Sequence, residues 1–230
     1  RLLSSHRLES HPMGGCLISN MEVAVCLIDS TIVILSFKSI NDVKVVKTLN
    51  VSIGISDCHS VAKVNLSDKL IVSGWKWGDI LYWCVVNLTD GRVDSTHKIC
   101  KGGIISHTHL AIKDNIVYIM CRTSDATTNG VYTYDIFNPH KQKFRYQHQE
   151  LINPWSITVD RMNFIYVCDR HSKSIHQLTD SGQLVTIHRV SSRPYGIFYD
   201  DQHGVLFTTS FRSKVITVYR LEYLHQPGIP

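Results

Sequence analysis

Two stretches of this chain match each other forty residues apart. The first runs Asn153-Pro154-Trp155-Ser156-Ile157-Thr158-Val159-Asp160, then Phe164-Ile165-Tyr166-Val167-Cys168-Asp169, then Ser174-Ile175-His176-Gln177-Leu178. The second runs Arg193-Pro194-Tyr195-Gly196-Ile197-Phe198-Tyr199-Asp200, then Gly204-Val205-Leu206-Phe207-Thr208-Thr209, then Lys214-Val215-Ile216-Thr217-Val218. Pro154 and Pro194, Asp160 and Asp200, and Ile175 and Val215 keep the same offset. A period of this size, with several short strands per unit, means radial repetition and so a β-propeller.

Weaker copies extend the pattern toward the N-terminus. His107 to Ile112 precedes Asp114 to Ile119, and a third run follows at Gly130 to Asp135. Ser60 to Val64 precedes Asp68 to Ser73, then Ile80 to Val85. Gly15 to Ile18 precedes Met21 to Cys26, then Ser30 to Leu35. The second strand of each unit is expected to start near residues 21, 68, 114, 163 and 203. Asp, Asn, Gly, Ser and Lys turns separate the runs, which fits four-stranded antiparallel blades. No segment keeps a helical period. The fold class expected is all-β. The expected boundaries are 1–224 for one propeller domain and 225–230 for a C-terminal tail, because Gln226-Pro227-Gly228-Ile229-Pro230 cannot continue a strand.

The pattern Pro-x-x-Ile-x-x-Asp followed by Ile-Tyr-Val-x-Asp and a later Ile resembles the NHL repeat. Pro154, Ile157, Asp160, Tyr166, Val167, Asp169 and Ile175 carry it, and Pro194, Gly196, Ile197, Asp200, Gly204 and Val215 carry it again. Ser156 stands where the repeat usually has Gly, and Thr209 where it has its second Asp; the other three units lack the Pro. The resemblance implies a six-bladed ring, so one blade beyond the five visible units is expected to be missing, degenerate or split between the termini. Leu2-Leu3 and His6-Arg7-Leu8 are candidates for part of it. The resemblance also implies the C-terminal propeller of a tripartite-motif ubiquitin ligase, which recognises a protein substrate or, in some members, RNA. Ubiquitin transfer would then lie in other domains, so no catalysis is expected of this one.

Bulk properties narrow the class. The chain has 230 residues and 43% hydrophobic content, enough for a large core. The net charge of +5 permits an anionic partner without demanding one. No apolar run reaches the roughly 18 residues of a membrane-spanning helix. Arg1 is not an initiator Met, so a fragment or a processed chain is expected. The seven cysteines form no CxxC, and several lie within apolar runs. Buried free thiols and a cytoplasmic setting are therefore expected. Sequons at Asn50, Asn65 and Asn87 keep a third alternative open, an extracellular propeller that is a metal-dependent lyase or hydrolase, or a carbohydrate or receptor binder.

Antiparallel blades bring the start of each innermost strand and the loop between second and third strands to one face. His59, His107, Trp155 and Tyr195 open the innermost strands. Trp75-Lys76-Trp77, Arg122, Arg170-His171 and Phe211-Arg212 lie in the second loops. One face should thus collect aromatics and cations around the channel. Such residues dominate protein-recognition hot spots and also suit splayed bases and phosphates of single-stranded RNA. A packing role between blades is the competing reading for Trp155 and Tyr195. Trp75 and Trp77, two apart, should point to one side.

Other chemistry is weaker. His107-Thr108-His109 offers two imidazoles, but the matching positions later are Trp155 and Tyr195, so no metal and no cofactor is expected. No Gly-x-Ser-x-Gly elbow and no activated Cys is visible. Asp160 and Asp200 read as turn-capping carboxylates. The basic run His140 to His148 reads as a solvated outer strand, with a phosphate-contacting edge as the sharper option.

Overall fold

The computed structural model describes residues 8–39, 42–52, 55–76, 80–101, 107–210 and 212–220. They form nineteen strands in five sheets arranged as blades. Blade 1 holds β1 (Pro12–Ser19), β2 (Glu22–Leu27), β3 (Thr31–Ser39) and β4 (Asp42–Asn50). Blade 2 holds β5 (Asp57–Lys63), β6 (Lys69–Lys76), β7 (Ile80–Asn87) and β8 (Val93–Lys101). Blade 3 holds β9 (His107–Lys113), β10 (Ile116–Arg122), β11 (Gly130–Asp135) and β12 (Asn138–Tyr146). Blade 4 holds β13 (Pro154–Val159), β14 (Ile165–Asp169), β15 (Ser174–Leu178) and β16 (Leu184–Arg189). Blade 5 holds β17 (Pro194–Asp200), β18 (Val205–Ser210) and β19 (Ile216–Arg220). Every pairing is antiparallel between consecutive strands. The one helical element described is a 3-10 turn at Ala126–Thr128, and among the described residues no helix is long and apolar enough to cross a membrane.

The second strands explain why the sequence shows continuous apolar runs. In β10 and β14 nearly every residue is buried, because neighbouring blades cover both faces. The outermost strands β4, β8, β12 and β16 have water on one side and carry the charges. The core lies in layers between blades. Ala24, Ile34, Val61 and Val72 join blades 1 and 2. Ile71, Trp83, Ile119 and Tyr132 join blades 2 and 3. Met120, Val131, Ile157 and Val167 join blades 3 and 4. Tyr166, Ile175, Ile197 and Leu206 join blades 4 and 5. Each large side chain buried in this way contributes roughly 1.5–3 kcal/mol.

Hydroxyl groups clasp the innermost strands across blades. Ser60 Oγ accepts the Leu110 N–H at 3.2 Å, and Ser156 Oγ accepts the Ile197 N–H at 3.2 Å. Thr158 Oγ1 accepts the Tyr199 N–H at 3.2 Å. This is the physical use of Ser156 at a position where the repeat usually has Gly. Ser156→Ala leaves the buried Ile197 amide without its acceptor and is expected to destabilise the domain by about 1–3 kcal/mol. A urea midpoint unchanged from the parent chain would show that the clasp contributes nothing.

Three sequence expectations need correction. The described residues form five blades, not six, and β17 does not pack on β1 as the other innermost strands pack on their neighbours, so the arc is open there. Each of the five units folds into one blade, which leaves no described strand for a sixth. Residues 1–7, the candidate contributors to that blade, and the boundary near residue 224 lie outside the described residues.

Blade 1 does not lack the Pro. Strand β1 starts at Pro12, ahead of the expected Gly15, and Pro12 pairs with Leu27 as Pro154 pairs with Asp169.

The offset between blades 4 and 5 becomes 41 after the first turn. Ile157 pairs with Val167, but Ile197 pairs with Thr208. Ser210, opposite Pro194, therefore takes the place of Asp169, and Ile216 that of Ile175. An extra residue in the turn after Asp200 accounts for the slip.

Candidate functional site at the channel mouth

The innermost strands open with a repeated irregularity. In β1, β5, β13 and β17 the pairing skips one residue near the start of the strand: Met13, His59, Trp155 and Tyr195. Such β-bulges leave a residue outside the ladder and re-aim its side chain. In β9 the register is regular, and His107 pairs directly with Arg122 at the end of β10.

The result is a continuous arc of rings across four blades. His59 and His107 lie 5.4 Å apart, His107 and Trp155 5.2 Å apart, and Trp155 and Tyr195 stack at 4.3 Å. The Arg122 guanidinium sits 4.0 Å over the Trp155 ring, and that of Arg170 is 5.7 Å from it. Both are within the range of a cation–π contact. Antiparallel topology thus brings together five of the residues that the sequence singled out, with Arg170 beside them. Met13 is the equivalent position in blade 1, overlooked in the sequence. The signal was there, since Pro12-Met13-Gly14 parallels Pro194-Tyr195-Gly196.

The remaining candidates are less central. Trp75 is half-buried, packs on the layer between blades 2 and 3 and hydrogen-bonds Asp57. Lys76 follows it at the end of β6. Trp77 and Phe211 lie outside the described residues, so the paired-ring expectation for Trp75 and Trp77 is not placed. His171 and Arg212 are exposed in the second loops of blades 4 and 5, and Arg212 has a left-handed backbone with φ 57°.

The electrostatics follow from burial. Desolvation pushes His59 down to about 4, helped by the nearby Arg122. Burial, with His59, His109 and Arg122 around it, holds His107 well below the usual imidazole range. These rings are therefore neutral at pH 7. Burial also lowers Arg122, opposed by Tyr195 and reinforced by Arg170. One Arg122 Nη1 donates to Asn153 Oδ1 at 3.4 Å.

The recurring carboxylates cap turns. Asp160 Oδ1 accepts the N–H groups of Met162 and Phe164, and its Oδ2 accepts the Tyr166 hydroxyl at 3.0 Å. Asp169 accepts the N–H groups of Asn153 and Ser172. Asp200 accepts those of Gln202 and His203. Asp160 and Asp200 hold their own turns, and Asp169 ties its own turn to the start of β13. Among the described residues no three of His, Cys, Asp or Glu converge as a metal site would require. The seven cysteines are unpaired, five of them buried. The basic run forms β12, whose Lys141, Lys143 and Arg145 are exposed.

The NHL repeat model matches residues 151–178, which span the first three strands of blade 4. No curated protein matches the chain. Among solved structures, BamB from Moraxella catarrhalis is 14% identical with a TM-score of 0.61, the match covering 95% of this chain and 60% of that one. A protein of unknown function from Desulfotomaculum acetoxidans is 15% identical with a TM-score of 0.72, covering 94% of this chain and 68% of the other. A luciferin-regenerating enzyme is 14% identical with a TM-score of 0.66, covering 89% and 71%. The chain thus spans about three fifths of the length of BamB. At these identities the likeness is one of fold. Together the comparisons and the blades show a β-propeller that carries an NHL repeat.

Proposed function

We propose that this domain is a recognition module that binds a protein partner through the face around the channel mouth. The observation that carries this reading is the arc His59–His107–Trp155–Tyr195 with Arg122 and Arg170 against its Trp. Aromatic and Arg side chains supply large contact area with little entropy to lose. The resemblance extends the reading to the substrate-recognition part of a tripartite-motif-type ubiquitin ligase in the cytoplasm. A full-length transcript that encodes an upstream RING finger would support that extension, and one without it would remove it. Single-stranded RNA is the alternative partner, favoured by the ring of Tyr195, which is 40% exposed beside the two arginines.

The test is affinity capture with the parent chain and a Trp155→Ala/Tyr195→Ala variant, beside a salt-dependent titration with random single-stranded RNA. A protein partner should be retained by the parent and lost from the variant. Truncating a hot spot costs 2 kcal/mol or more, so about a thirtyfold loss of affinity is expected. Capture that ignores the variant would refute the face. RNA binding that weakens steeply with salt would replace the protein reading.

A further inference from the structure

Arg122 and Trp155 share an unusual feature. Arg122 Nε and Trp155 Nε1 are both buried N–H donors, and neither has a hydrogen-bond acceptor. The groups that bear them face each other at 4.0 Å. Native structures pair nearly all such donors, so two orphans side by side call for an acceptor supplied from elsewhere. Among the described residues no carboxylate lies within ion-pairing distance of Arg122, although its guanidinium is half-buried. Asp125, three residues on, accepts the Thr127 N–H and hydroxyl, and Asp169, beside Arg170, is wholly buried and holds the Asn153 and Ser172 amides. A second guanidinium, that of Arg170, lies against the same indole. Two like charges over one ring are relieved by an anion, and charge-assisted hydrogen bonds to Arg are the strong ones.

We propose that the channel mouth holds a carboxylate of an acidic protein segment against Arg122, with Arg170 as the second cation and Trp155 as the platform that fixes them. This deepens the recognition role proposed above and rests on it. The geometry favours a side-chain or terminal carboxylate over an RNA strand. RNA binding of this kind needs open ring faces for bases. The Trp155 ring already carries a guanidinium at 4.0 Å and the Tyr195 ring at 4.3 Å, so its stacking surface is used within the protein. The neighbouring His107 and His59 are neutral and add no competing charge. What the site offers is N–H donors.

The test is NMR of the 15N-labelled chain, following the Arg122 Nε–H resonance. That signal is assigned by its absence from Arg122→Lys. The probes are N-acetyl-glutamate amide, N-acetyl-glutamine amide and dimethyl phosphate. The glutamate probe should shift the resonance saturably. The glutamine probe should bind at least about tenfold more weakly, because the charge-assisted bond is lost. Arg122→Met should abolish glutamate binding, and Arg122→Lys should retain part of it.

Equal responses to the two amides, or no saturable shift, would overturn the proposal. Tighter binding of dimethyl phosphate than of the glutamate probe would also overturn it and assign the site to a nucleic-acid backbone. Should Arg122→Met fail to fold, the glutamate–glutamine comparison on the unaltered chain decides alone. Failure here is distinct from failure of the recognition role. A captured protein that is lost with Trp155→Ala/Tyr195→Ala but kept with Arg122→Met leaves the role standing and removes the carboxylate.

Discussion

Lowering the pH from 7 to 4 is expected to remove most of the stability of this domain. Two wholly or nearly buried histidines drive the loss. His59 is 5% exposed and His176 is 0% exposed. Burial pushes each imidazole down to about 4, with Arg122 adding to the effect at His59 and His148 at His176. In the unfolded chain both titrate near 6.5. Between these values the unfolded state binds more protons than the native state. The stabilising contribution is therefore fully present above about pH 6.5 and is lost as the pH falls to about 4. Each ring contributes about 3 kcal/mol by this linkage, and together they approach the 5–15 kcal/mol stability of a typical domain. His109, also held down to about 4 by burial, acts in the same direction.

The local structure explains the penalty. His176 Nδ1 is hydrogen-bonded to the Tyr146 hydroxyl at 2.8 Å, while its Nε2 is buried without a partner. A proton added there has no acceptor to meet. Urea unfolding at pH 7, 5.5 and 4 measures the effect, and His176→Gln should flatten its slope. A midpoint that does not move between pH 6.5 and 4 would show that these rings are charged or solvated in the native state.

Gly74→Ala should cost about 3 kcal/mol or more through overpacking. Gly74 lies in β6 opposite Cys58, at the bulge that projects His59. A Cβ there would sit 1.8 Å from the Asp57 carbonyl oxygen and 2.6 Å from Ile55 Cγ2. The first obstacle is backbone, so no side-chain rotation relieves it. The start of β5 must move, and His59 with it. The useful contrast is Gly204, which has φ +65° and no heavy atom within 4 Å of its added Cβ. Gly204→Ala should cost only the left-handed strain of about 1–2 kcal/mol. Equilibrium unfolding of the two variants tests the ranking. Equal costs would mean that β5 and β6 approach less closely at the bulge than the structure has them.

Much of this molecule is legible in the sequence, for a physical reason. Strand periodicity and the recurrence of Pro154 at Pro194 are local signals, and the expected second-strand starts fall within two residues of β2, β6, β10, β14 and β18. The shared edge of His107 and Arg122 follows from antiparallel pairing alone. What the sequence hides depends on register and on neighbours. That Met13, His59, Trp155 and Tyr195 are bulge residues is a property of pairs of strands. That Arg122 lies on Trp155 requires two blades to meet. The single-residue slip after Asp200 breaks the offset where the two copies look most alike. Burial of His176 against Tyr146 depends on the preceding blade, and its sequence neighbours give no sign of it.

The open arc gives the recognition face an uneven footing. Among the described residues blades 2, 3 and 4 are gripped from both sides, whereas blades 1 and 5 each pack on one neighbour. Leu17 is 71% exposed in a row with Val23 and Leu35, and Phe198 is 63% exposed in a row with Phe207 and Val218. In a linear array of repeats the end units fray first, because each lacks one interface. Tyr195 belongs to such an end unit and Trp155 to a gripped one. A ligand that holds both rings therefore acts as a staple across the seam between blades 4 and 5. Part of its binding energy goes into keeping the last blade folded, and occupancy of the mouth and order of that blade rise and fall together.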